Sequence, residues 1–155
     1  MALGFDQAVL LDRLEDEVRF AAKPSLGLFS KIIASLCTRI LPLDRAGRTG
    51  PIGPLLEMQA WTEAALALIA CEIQAWQIRR MVQDGAEWMC SLSRQPYLPN
   101  GLDDGVDAMH ESLPLAILMA FLEVRRRTAI LPQAPTTTPS VAPAPEGSLC
   151  CDNFS

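Results

Sequence analysis

The chain has 155 residues, of which half are apolar and one fifth are charged, and its formal net charge is -5 at pH 7. A chain of this size and composition suits one domain with an ample apolar core. Its acidic balance argues against a general nucleic-acid binder, because neutralising phosphates requires clustered lysines and arginines.

The first two predicted elements are amphipathic helices. Over residues 5–22, Leu11, Leu14 and Val18 recur at three- and four-residue steps, which is typical of one apolar helix face. No basic leader stands before an apolar run here, so a secretory signal is not expected. A second helix is predicted to begin at Pro24-Ser25 and to stop at Pro42. Its apolar face consists of Phe29, Ile32, Ile33, Leu36, Cys37, Ile40 and Leu41.

The longest predicted helix follows a Gly/Pro-rich linker over residues 42–54 and runs from Leu55 to about Asp84, where Gly85 breaks it. Its centre, AALALIAC at 64–71, is apolar all round, so we expect neighbours to enclose it, either in the domain or in an oligomer. The small side chains of this helix would let a partner helix approach closely. The predicted interface consists of Ala60, Ala64, Ala67, Leu68, Ala70 and Trp76.

After a short helical continuation over 86–95, the stretch LPNGLDDGVDAMHE at 98–111 can be aligned to a calcium-binding loop with Gly105 as its central glycine. Leu102 then occupies the third position, where an oxygen ligand is needed, so calcium binding is not expected. Asn100 is instead predicted to cap a helix. The apolar stripe of this helix consists of Leu102, Val106, Met109 and Leu113.

Asp103, Asp107 and His110 would lie on a common arc of that helix. With an acid of the long helix (Glu57, Glu63 or Glu72), they would form a ligand set for a divalent metal ion, as carboxylates and histidines do in helical bundles. However, the chain has a single histidine, and one helix would have to supply every further acid. We therefore expect His110 to be a half-buried structural residue. A metal-binding protein or metal enzyme remains the alternative.

The last predicted helix covers residues 113–128 and contains LPLAILMAFLEVRRR, in which Glu123 can pair with Arg127. Arginines after an apolar segment also suit contact with anionic lipids, so peripheral attachment to a membrane surface is a second alternative. No apolar stretch reaches the roughly 18–20 residues that a membrane-spanning helix requires. The cytoplasm is therefore the expected compartment.

Residues 131–155, LPQAPTTTPSVAPAPEGSLCCDNFS, are rich in proline and poor in large apolar side chains, so this tail is predicted to be disordered. Cys150 and Cys151 are candidates for modification there, although a chance pair is the favoured explanation, because exposed thiols cost little in a reducing compartment. Cys90 and His110 would offer a thiolate pair, but no third group orients them and no family signature accompanies them.

The sequence as a whole predicts an all-α fold, an irregular bundle of about five helices over residues 1–130, followed by the tail 131–155. No phosphate-loop, dinucleotide or nucleophile-elbow fingerprint is present, so no catalytic residue or cofactor is assigned. The main hypothesis is a non-enzymatic interaction or accessory protein that forms a homo- or hetero-oligomer, with itself or another protein as partner. Only two of the 13 basic residues are lysines, an arginine bias that favours a bacterial source.

Overall fold

The computed structural model describes residues 3–40, 52–99 and 102–130. Along the described part of the chain, a small sheet lies between four helices and one final helix. The elements are α1 (Leu3–Phe20), α2 (Leu26–Leu36), α3 (Ile52–Glu57), α4 (Trp61–Glu72), β1 (Gln77–Asp84), β2 (Glu87–Ser93), β3 (Gly105–His110) and α5 (Leu113–Ile130). The three strands form an antiparallel sheet in the order β1-β2-β3. The predicted all-α helical bundle is therefore wrong, and the fold is mixed α/β.

The two N-terminal helices confirm their predictions. Leu11, Leu14 and Val18 of α1 are buried, as the spacing of apolar residues indicates. Ser25 is the N-cap of α2, and its hydroxyl accepts a hydrogen bond from the backbone N–H of Leu28 at 3.3 Å. The helix ends earlier than predicted, because Cys37 has extended backbone angles. The predicted stop at Pro42 and most of the predicted linker lie outside the described residues.

The predicted helix from Leu55 to Asp84 is replaced by α3, α4 and β1. After α4 ends at Glu72, a turn leads into a two-stranded hairpin in which Asp84 pairs with Glu87. Gly85 lies at the first central position of the connecting turn with φ +62°, which is the glycine position of a type II′ turn. Gly85 is thus the turn of a hairpin, and the predicted helical continuation over 86–95 is mostly strand β2.

Strand β3 replaces the helix that was predicted around His110. Val106, Ala108 and His110 are buried at alternate positions, whereas Met109 is 46 % exposed. This is the two-residue period of a strand with one buried face. The apolar stripe at helical spacing is therefore wrong, and Leu102, its first member, is 74 % exposed. The predicted cap Asn100 lies outside the described residues.

Helix α5 is the centre of the core. It packs on the inner face of β2 and β3 and contacts α1 and α4. Its apolar side chains point all round the helix and are almost fully buried: Leu115, Ala116, Ile117, Leu118, Ala120, Phe121, Leu122 and Val124. The helix that neighbours enclose is thus α5. In α4, by contrast, Ala67 is half-buried and Ala70 is exposed.

An aromatic pair and two ion pairs also join the helices to one another. The rings of Phe29 in α2 and Trp61 in α4 stack with centroids 5.5 Å apart. Arg126 of α5 pairs with Asp12 and Glu15 of α1, each at 2.5 Å. Among the described residues, no helix is long and apolar enough to cross a membrane.

Candidate functional site

The three residues of the predicted metal site are not brought together. Asp107 and His110 lie three positions apart in β3, so their side chains leave opposite faces of the sheet. His110 faces the core, where its Nε2 lies 3.3 Å from the carbonyl oxygen of Arg19 and its Nδ1 accepts a hydrogen bond from Ser112 N at 3.0 Å. Among the described residues, no group of three or more potential ligand side chains could hold a metal ion.

Asp103 instead closes the loop between β2 and β3. Its Oδ2 accepts from the Ser93 hydroxyl and from Arg79 Nη1, the latter at 2.5 Å, and its Oδ1 accepts from Gln95 N at 3.2 Å. Arg79 also donates to the carbonyl oxygen of Leu98 at 3.1 Å. The bond from Ser93 is the main cause that lowers the pKa of Asp103, and the bonds from Gln95 and Arg79 add to it. This carboxylate is therefore ionised, and both of its oxygens accept hydrogen bonds within the fold.

The outer face of the sheet, which α5 does not cover, carries a cavity of about 450 Å³. Arg79, Arg80, Ser91, Asp103 and Asp107 line it. The hydroxyl of Ser91 donates to the carboxylate of Asp107. A serine nucleophile needs a base that takes its proton, usually a histidine, and the chain's single histidine lies on the other face of the sheet. The pair therefore lacks the relay of a serine hydrolase.

The predicted thiolate pair is also separated. Cys90 stands opposite Ala108 in the β2–β3 ladder, whereas His110 stands opposite Trp88. Cys90 is fully buried, and burial, with a smaller contribution from Asp107, raises the pKa of its thiol to about 11. Burial also raises the pKa of Cys37 to about 12. Both side chains are therefore neutral core thiols at physiological pH.

The six residues of the predicted interface do not form one exposed surface. Ala64, Leu68 and Trp76 are buried in the core of the same chain. Ala60 and Ala67 are half-buried, and Ala70 is exposed. The predicted modification sites Cys150 and Cys151 lie in the tail 131–155, outside the described residues.

Three apolar side chains on the outer face of the sheet, of which Met89 is half-buried, form a row that the sequence reasoning missed. Val82 of β1 pairs with Met89 of β2, which in turn pairs with Met109 of β3. Val82 is 39 % exposed and Met109 is 46 % exposed. The dipeptide Asp84-Gly85 between two apolar runs is a hairpin signal that would have indicated β1 and β2. It would not have given the register, because Asp84 and Gly85 as the two central turn residues would pair Val82 with Glu87, whereas the turn at Gly85-Ala86 pairs Val82 with Met89.

No family model, curated protein or solved structure matches the chain. The candidate sites therefore rest on the contacts, burial and charges of its own residues.

Proposed function

We propose that the protein is a non-enzymatic interaction protein that forms a homodimer through the free edge of β1. The observation that supports this is the exposure of the strand. In the order β1-β2-β3, β1 is hydrogen-bonded on one side, and no other strand in the described residues lies on its second side. Residues 80–84 are all exposed. An edge strand of this kind has backbone N–H and C=O groups available for a further strand.

The sequence of β1 is complementary to itself in one antiparallel register. If Val82 lies opposite the same residue of a second copy, Arg80 lies opposite Asp84 in both directions across the two-fold axis. Opposite charges at facing positions stabilise a strand pair by roughly 0.2–1 kcal/mol each. This register thus has two ion pairs around one apolar pair.

The irregularity of β1 agrees with the same register. Its ladder with β2 shifts between Ile78 and Arg80, which places Arg79 in a bulge. Bulges at sheet edges end the pairing of strands. The regular part of the edge is therefore the segment Arg80–Asp84, which is the segment that the proposed register uses.

The exposed apolar row strengthens the case for a second copy as partner. Val82, Met89 and Met109 lie side by side across the three strands. With Val82 on the two-fold axis, the rows of two chains would join into one row of six side chains across a six-stranded sheet. Because five paired residues make a small interface, we expect a dissociation constant on the order of micromolar.

Sedimentation velocity over a range of protein concentrations tests this proposal. We expect the wild-type chain to change from monomer to dimer as its concentration rises. Arg80→Asp and Asp84→Arg should each weaken the dimer, because each places like charges opposite one another. The double variant Arg80→Asp/Asp84→Arg restores opposite charges and should recover most of the affinity. Arg13→Asp, an exposed charge change on α1, is the matched control.

Two results would overturn the proposal. One is a wild-type monomer at every concentration. The other is a dimer that the single variants leave unchanged, because the interface would then lie elsewhere. Circular dichroism of each variant separates a lost dimer from a lost fold.

For the location of the protein we propose the cytoplasm. Cys37, Cys71 and Cys90 are free cysteines, which a reducing compartment preserves.

A further inference from the structure

A second cavity, of about 680 Å³, lies beside the turn between α4 and β1. Three arginines from three separate parts of the chain line it: Arg39 after α2, Arg94 after β2, and Arg125 in α5. Cavities of roughly 300–1,000 Å³ are typical of small-molecule sites. Three arginines, of which Arg39 and Arg94 are exposed and Arg125 is half-buried, thus line one such cavity.

The charge of these arginines is not neutralised within the described residues. Arg19, Arg79, Arg126 and Arg127 each pair with a carboxylate. In the described part of the chain, the three arginines of the cavity form no such ion pair. They are thus a local concentration of positive charge in a chain whose net charge is -5.

The one acid of the cavity is already occupied. Glu72 is buried, and its Oε1 accepts hydrogen bonds from the backbone N–H groups of Arg39 and Ile40 at 2.9 and 3.0 Å. Its Oε2 accepts from Thr38 N at 3.3 Å. The carboxylate of Glu72 therefore accepts hydrogen bonds from backbone N–H groups, and in the described residues it forms no ion pair with the three arginines. Their guanidinium groups remain available to an external anion.

Arg125 is held in place for this role. One nitrogen, Nη2, donates to the carbonyl oxygen of Leu36, and its guanidinium carbon lies 5.9 Å from the centre of the Phe121 ring. A guanidinium has five N–H donors, so most of them remain free after this contact. A half-buried cation without a counter-charge is unfavourable, and an anion beside it removes that cost.

We propose that this cavity binds a small polyanion, a molecule with at least two phosphate or carboxylate groups. Guanidinium groups bind both kinds of group through paired hydrogen bonds. A diphosphate or a tricarboxylate offers several anionic groups to the three arginines, whereas one isolated phosphate offers a single group. Gln7, Gln74 and Thr128, which also line the cavity, add polar groups for the remaining oxygens. The site is independent of the β1 edge, because neither Arg80 nor Asp84 lines it.

Calorimetric titration of the full chain with sodium pyrophosphate, at constant ionic strength, tests the proposal. Citrate and inorganic phosphate are the comparison probes. We expect pyrophosphate or citrate to bind at least tenfold more tightly than inorganic phosphate. A tenfold preference for pyrophosphate assigns a phosphate ligand, and the reverse preference assigns a polycarboxylate; either supports the site.

Variants locate the binding. Arg39→Gln and Arg94→Gln should each weaken it about 10- to 100-fold, the usual effect of losing hydrogen bonds to a charged group. Neither arginine side chain has another described partner, so both variants should fold. Arg94→Lys, which keeps the charge and loses the paired geometry, should fall between wild type and Arg94→Gln. Arg13→Gln is the matched control and should leave the affinity unchanged.

The proposal is overturned if millimolar pyrophosphate and citrate give no binding heat. It is equally overturned if Arg13→Gln weakens binding as much as Arg94→Gln, since that would indicate a general response to surface charge. Neither result bears on dimer formation, which sedimentation measures separately.

Discussion

Replacing Glu72 tests how the end of α2 is attached to α4. The segment Thr38–Ile40 follows α2, and three of its successive backbone N–H groups donate to this one carboxylate on the last residue of α4. Glu72 is only 7 % exposed, which is rare for a glutamate unless its charge is satisfied. Glu72→Ala removes both acceptor oxygens and all three hydrogen bonds, whereas Glu72→Gln keeps one oxygen.

The expected loss of unfolding free energy depends on which of the three N–H donors can form a hydrogen bond with water instead. Thr38 and Arg39 are exposed, so water can replace the carboxylate at their N–H groups. Ile40 is 4 % exposed, and leaving its N–H without an acceptor costs about 1–3 kcal/mol. With the charge-assisted bonds added, and with the carboxylate no longer desolvated, Glu72→Ala should lose about 3 kcal/mol of unfolding free energy. Glu72→Gln can retain two weaker bonds through Oε1 and should lose about 1–2 kcal/mol.

Urea unfolding followed by tryptophan fluorescence measures these losses, at one fixed protein concentration because dimer formation would shift the apparent stability. Glu63→Gln is the matched control, an exposed glutamate of the same helix, and should change stability by no more than about 0.5 kcal/mol. The reasoning is refuted if Glu72→Ala behaves like this control. It is also refuted if Glu72→Gln loses as much as Glu72→Ala, because the acceptor oxygen would then have no role.

Three further predictions concern single residues. Gly85→Ala should destabilise the protein by about 1 kcal/mol, because φ is +62° there. Gly27→Ala, in α2 with open space around the added methyl group, should instead stabilise it by about 0.4–1 kcal/mol. Thermal unfolding of both variants checks these opposite signs. Burial raises the pKa of Cys90 from 9.0 to about 11, so above pH 9 the unfolded chain loses this proton before the folded chain does. Stability should therefore fall between pH 9 and 11 by up to about 3 kcal/mol from this thiol, and urea unfolding of Cys90→Ala should show a shallower fall. The pKa of Asp103 is lowered from 3.8, so its charge stabilises the fold above that pH and the contribution is lost as pH falls through the lowered value. Asp103→Asn should accordingly be less stable at pH 7 and less sensitive to pH below 4, and unchanged acid unfolding would contradict this role.

The helices before the sheet could be predicted because their signals are local. The spacing of Leu11, Leu14 and Val18 gives the buried face of α1, and Ser25 gives the start of α2. The predicted pair Glu123–Arg127 also forms, at 3.3 Å, because residues four positions apart are neighbours on a helix surface. Each of these features depends on residues within one or two helical turns, which the sequence displays directly.

The sheet was missed because its strands have little regular alternation. β1 is an edge strand with a bulge, so its apolar residues Ile78, Met81 and Val82 do not alternate. In β3 the inner face includes Ala108 and His110, which are weak apolar signals, while Met109 lies on the outer face. Val106 and Met109 then fit a helical spacing by coincidence. Pairing between distant segments decided the structure, and local periodicity does not record it.

The candidate sites follow from the same distant pairing. Asp103 could be singled out as a charged residue near a turn, but its partners Arg79 and Ser93 come from two strands that the sequence did not indicate. The arginines of the second cavity are separated by 55 and 31 positions in the chain (94 minus 39, and 125 minus 94). Only the fold places them around one space.

In the α/β fold, the surface expected for an interaction differs from the one that a helical bundle would offer. The hypothesis of an interaction protein began from an excess of apolar helix surface over what a small helical domain could enclose. The helix with the most fully buried apolar side chains is α5, which packs against β2 and β3 as well as against α1 and α4. Among the described residues, the opposite face of that sheet is not covered by a helix, and Val82 in the edge strand β1 and Met109 in β3 are exposed there. Apolar side chains of the helices, such as Phe5 and Phe20 of α1, are exposed as well. A sheet that buries one face against a helix can present its other face to a partner. We therefore propose the sheet, with its free edge at β1, as the interaction surface, and the charge swap between Arg80 and Asp84 is the experiment that distinguishes an interface at this edge from one on a helix.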